Sequence, residues 1–115
     1  MIFDTERGLI LLSGCGHAGV INTAEHARKV VRAAPLEAAI GGFHLFGLDD
    51  AHLAWTIGEL KRLGLRQLLG GHCTGLEAVY RIRAALGLDR ARCVVAAVGS
   101  SFTLGKGINP LDVAR

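Results

Sequence analysis

Apolar positions in this chain fall into two kinds of run that alternate. Leu9 to Leu12 is continuously apolar, and Leu36 to Ile40 lacks polar alternation, as expected of strands buried on both faces. Leu65 to Leu69 and Cys93 to Val98 complete the set of strand-like segments. Between them, Ala24, Ala27, Val30, Val31 and Ala34 recur at helical spacing, as do Leu53, Ile57, Leu60 and Leu63, and then Leu76, Val79, Ile82 and Leu86. Local signals set the helix ends. Asn22-Thr23-Ala24-Glu25 and Thr74-Gly75-Leu76-Glu77 are capping-box patterns that open the first and third helices, and Asp49 or Asp50 caps the second. Pro35, Gly64 and Gly87 stop the three in turn. Met1-Ile2-Phe3 reads as a hairpin arm against the first strand, Phe102-Thr103-Leu104 as a short fifth strand, and Lys106 to Arg115 as lacking a clear element. Strand–helix alternation of this kind predicts α/β layering with largely parallel pairing. The 115 residues make one domain, without linker or low-complexity segment.

Three of the strands run into the same device. Ser13-Gly14-Cys15-Gly16-His17, Gly41-Gly42-Phe43-His44 and Gly70-Gly71-His72-Cys73 each place glycine and then histidine at a strand end. Carboxyl ends of parallel strands gather along one side of a sheet, where open α/β folds bind ligands, and glycine lets the backbone approach a ligand closely. The expectation is that His17, His44 and His72 converge. Together with Cys15 they form a donor set suited to zinc, although the spacing is not that of a zinc finger. Cys73 reads equally as a further ligand or as a small residue at a tight turn. Cys93 reads as core, and His26 and His52 as surface residues. Two other chemistries use the same residues. A thiolate nucleophile at Cys15, with His17 or His72 as base, leaves the other histidines unexplained. Gly14-x-Gly16-x-x-Gly19 matches the dinucleotide fingerprint, but the next strand ends in Ile40-Gly41-Gly42-Phe43, without the acid that binds ribose.

Composition narrows the setting. Half the residues are hydrophobic and the mean hydropathy is +0.38, which leaves apolar surface over for a partner. No apolar run reaches the roughly 18 residues of a membrane span. An odd count of 3 cysteines argues for reduced thiols and a cytoplasmic location. The net charge of +3 is modest, the arginines are spread along the chain and read as solvated helix faces, and only 5% of residues are aromatic. No stacking platform for nucleic acid results.

The three blocks together, Leu12-Ser13-Gly14-Cys15-Gly16-His17-Ala18-Gly19-Val20-Ile21-Asn22-Thr23, Gly41-Gly42-Phe43-His44-Leu45 and Gly71-His72-Cys73-Thr74-Gly75, resemble the metallo-β-lactamase superfamily. The resemblance is to the C-terminal half of a branch related to dihydropterin ribofuranosyl-aminobenzene phosphate synthases, and it covers about the first two thirds of the chain. It implies the C-terminal half of an αβ/βα sandwich with zinc or another divalent metal at one edge of the sheets. It also implies that Cys15 stands where many relatives carry a metal-bridging aspartate, with His17 beside it. His72 corresponds to the late metal-binding histidine, and His44 lies at a family-typical position. Gly41, Gly42 and Thr74 are expected to leave room for a small-molecule substrate. The superfamily signature His-x-His-x-Asp-His is absent from all 115 residues. The expectation is therefore a partial domain, a hydrolase or transferase module completed by an N-terminal half or by a second copy. A non-catalytic structural or oligomerising domain is the alternative.

Overall fold

The computed structural model describes residues 1–110. Five strands form one sheet in the order β1-β2-β3-β4-β5: β1 (Ile2–Thr5), β2 (Gly8–Ser13), β3 (Leu36–Gly41), β4 (Leu68–Gly70) and β5 (Cys93–Val95). β1 pairs antiparallel with β2 as a hairpin arm, and every other pairing is parallel. Helices α1 (Val20–Val30), α2 (Asp50–Arg62) and α3 (Leu76–Leu86) connect the parallel strands in turn. Because neighbouring strands are also consecutive, right-handed crossovers put all three helices on one face. The main core lies between them and Leu11, Ala39, Leu68 and Cys93, with Ala24, Ala27, Leu53, Ile57, Leu60, Val79 and Ile82 supplied by the helices. Burial pushes the Cys93 thiol up to about 11, in keeping with a core residue.

Ile10, Ala38 and Leu69 are buried outside that core, on the far face of the sheet. Ile108, on the hairpin of β6 (Ser101–Thr103) and β7 (Gly107–Asn109), is buried outside it too. This hairpin packs against Gln67 so closely that a Cβ on Gly107 would lie 2.7 Å from Gln67 Oε1. Phe3 and Leu12, which register places on the same far face, stay 46% and 41% exposed.

The helix ends depart from the sequence patterns in two places. α1 begins at Val20, before the expected Asn22 cap. Gly19 turns the chain at φ 87°, and starting there buries Val20 and Ile21. Asn22 and Thr23 bond back to the Ala18 and Gly19 carbonyls, while Val30 and Val31 are exposed. α3 begins after Gly75, and the Thr74 side chain is drawn into the loop cluster described below, so it caps nothing; Leu76 is exposed. Asp49 does cap α2, accepting from the His52 amide at 2.8 Å. β4 and β5 are each 3 residues long, shorter than their apolar runs, and β7 forms where no element was expected.

Candidate metal centre

The carboxyl ends of β2, β3 and β4 are laced to one another through backbone. The Gly42 amide donates to the Ser13 and Gly14 carbonyls at 3.1 and 3.0 Å, and the Gly71 amide donates to the Gly41 carbonyl at 2.9 Å. Gly41 and Gly42 are glycine for want of space: a Cβ there would lie 1.9 Å from Ser13 O and 2.1 Å from Gly14 O, respectively. Thr74, fully buried, donates its hydroxyl proton to the Gly41 carbonyl and accepts from the Phe43 amide, both at 3.2 Å. The Cys73 thiol donates to the Cys15 carbonyl at 3.2 Å and accepts from the His44 amide at 3.2 Å. Gly41, Gly42 and Thr74 thus hold three loops in register.

This lacing places Cys15 Sγ, a ring nitrogen of His72 and Cys73 Sγ within 4.8 Å of one another. Two sulfurs and an imidazole nitrogen in that space are the soft and borderline donors that zinc prefers, so the residues present fit such an ion. Burial first, and then the neighbouring Cys73 thiol, push the Cys15 thiol up from its ordinary value. His72 is held at φ 51° and His44 at φ 49°, the positive-φ residues other than glycine among those described. Such conformers cost on the order of 1 kcal/mol and persist where surrounding structure enforces them. Here the enforcing contacts are the bonds of Cys73 and Gly71.

His17 and His44 meet each other, with ring centroids 4.3 Å apart, and stand outside the three-donor group. Both line a neighbouring cavity of about 270 Å³ that also takes in Asn22, Phe43, Leu48 and Trp55. The sequence pattern therefore found two pairs where it expected one cluster of four. Cys73 joins the donors through its place beside His72, a signal the spacing contained but did not decide. Trp55 reaches this cavity from the second turn of α2, which no motif marked. His26 and His52 are exposed, the latter paired with Asp49 at 2.8 Å.

No family model matches the chain. Over 74 residues, 64% of this chain, it is 42% identical to a 7,8-dihydropterin-6-methyl-4-(β-D-ribofuranosyl)-aminobenzene-5′-phosphate synthase of Methanocaldococcus jannaschii, covering 25% of that protein. It is 33% identical over 73 residues to an uncharacterized protein of the same organism, covering 27% of it. A crystal structure of a metal-dependent hydrolase of the β-lactamase superfamily superposes on 72% of this chain with a TM-score of 0.64 and 26% identity, covering 32% of the solved chain. The chain spans about a quarter of the length of the curated relatives it matches.

Proposed function

We propose that this chain is the metal-holding C-terminal module of a metal-dependent hydrolase or transferase of the metallo-β-lactamase superfamily, a reading supported by its similarity to part of such proteins. The observation that carries this reading is the Cys15, His72 and Cys73 group, assembled where three strand ends meet. Cys15 and His72 would hold the ion with Cys73. When bound, a divalent metal polarises a carbonyl or phosphoryl oxygen and makes a coordinated water acidic. The chain's own part is to fix the donors: Gly41, Gly42 and Thr74 lock the loops, and His17 and His44 on the adjoining cavity wall offer hydrogen bonds to orient a small-molecule substrate.

Zinc titration by calorimetry tests the donor set. Three donors without the His-x-His-x-Asp-His cluster make an incomplete ligand set, so we expect a dissociation constant in the micromolar range, about −8 kcal/mol. Cys15→Ser and His72→Ala should each weaken binding by at least about tenfold, and His17→Ala by less. Unchanged affinity in both of the first two variants would remove the basis of this reading.

The donors also need completion, because the His-x-His-x-Asp-His signature is absent from these residues. An N-terminal half would supply that signature and a second copy would not, but either has a surface to dock on in the half-exposed Phe3 and Leu12 of the far sheet face. The isolated chain should accordingly run in light scattering at twice its 12.1 kDa or more, and Phe3→Ser with Leu12→Ser should return it to a monomer. A wild-type monomer at micromolar concentration would rule out self-association. The odd count of 3 cysteines supports a cytoplasmic location; among the described residues no helix is long and apolar enough to cross a membrane.

A further inference from the structure

The opposite end of the sheet carries a second cavity, of about 560 Å³, within the range of small-ligand sites. Four cations from four separate segments line it: Arg7 from the β1–β2 turn, Arg66 before β4, Arg92 before β5 and Lys106 from the β6–β7 turn. None lies on a helix face, where the sequence pattern put the arginines. Two carboxylates share the lining, Glu37 and Asp89, which leaves a surplus of two positive charges.

The two carboxylates do different things. Glu37 is 2% exposed, and its oxygens are spent inside the protein: Oε1 accepts from Gln67 Nε2 at 3.1 Å and forms an ion pair with Arg7 Nε at 3.0 Å, and Oε2 accepts from Arg66 Nη1 at 3.3 Å. It tethers two guanidinium groups at the cavity wall while they stay about half exposed. A tethered guanidinium loses less freedom on taking up an anion. Among the described residues, the Arg7 Nη groups have no acceptor, and Lys106 has no ion-pair partner. Asp89 bonds chiefly to the Ala91 and Arg92 amides at 3.0 and 2.9 Å, and lies 3.9 Å from Arg92 Nε, too far for a close pair. The apolar part of the lining is aliphatic, from Leu65, Leu88 and Ile108, with no aromatic ring on which a base could stack.

We propose that this cleft between the β6–β7 hairpin and the amino ends of β3, β4 and β5 binds a small phosphate monoester, a phosphorylated polyol or short acid. A phosphate dianion matches the surplus charge, and planar guanidinium groups suit its oxygens. This site is independent of the metal centre, which lies at the carboxyl ends of the same strands.

The test is a titration of the full chain, isotopically labelled, with inorganic phosphate and then glycerol 3-phosphate in chloride buffer at fixed ionic strength, followed by amide chemical shifts. Saturable shifts are expected at Arg66, Ala91, Arg92 and Gly105 to Gly107, with Gly14 to His17 unmoved, and the ester should bind more tightly than phosphate. Arg92→Gln and Lys106→Gln, both at exposed positions that carry no packing, should each weaken the ester by about fivefold. The proposal is overturned if shifts track total salt without saturating, or centre on the Gly–His loops. It fails equally if both variants bind like wild type, or if a short single-stranded oligonucleotide binds more tightly than the ester.

Discussion

Gly41→Ala should lower the stability of the chain by about 3 kcal/mol or more, and Gly14→Ala by less than about 1 kcal/mol, although both glycines end strands in the same loop cluster. At Gly41 the backbone has φ 114°, and an added Cβ would lie 1.9 Å from the Ser13 carbonyl oxygen, itself part of the β2–β3 ladder. No rotamer relieves a clash between two backbones; the strands must separate. Separation would also break the Gly71-to-Gly41 bond and the Thr74 contact, which carry the order of the other two loops. At Gly14 nothing lies within 4 Å of the same added atom. Urea unfolding of the two variants side by side measures the difference. Equal midpoints would mean that the three strand ends do not approach as described, and the donor group would lose its support as well.

The second large effect is expected at the other end of the sheet. Replacing Arg7 and Arg66 together by glutamine leaves the Glu37 carboxylate, 2% exposed, with Gln67 as its remaining side-chain partner. An uncompensated buried charge is strongly destabilising; because both guanidinium groups are about half exposed and water can reach them, the expected loss is about 2 kcal/mol, below the usual range for a fully buried pair. Adding Glu37→Leu to the double variant should recover most of that loss, since an apolar side chain of similar volume needs no counter-charge. Recovery distinguishes an electrostatic penalty from lost packing of the arginine stems. If the triple variant is less stable than the double, Glu37 stabilises through its bond to Gln67 and the hairpin beyond.

Residue pattern alone was enough for the order of elements from β1 to β6, the parallel sheet and the ends of α2, because these depend on period and on local chemistry; β7 it missed. Leu53, Ile57, Leu60 and Leu63 face one way at helical spacing in any context, and Asp49 caps its own helix three residues on. The repeated Gly–His strand ends, and their resemblance to a metallo-β-lactamase-like half sandwich, were likewise open to reading, since each is a property of consecutive residues. What tertiary structure decided is everything that depends on a neighbour distant in the chain. Thr74 had the sequence of a helix cap but bonds across the loops to Phe43 and Gly41, residues that local pattern does not connect to it. Cys73 and not His17 stands with Cys15 and His72, because loop packing and two left-handed histidines, rather than spacing, set which donors meet. Arg7, Arg66 and Arg92 looked like scattered surface charge until the amino ends of the strands came side by side, since parallel pairing brings together residues 59 and more positions apart in sequence, at Arg7 and Arg66.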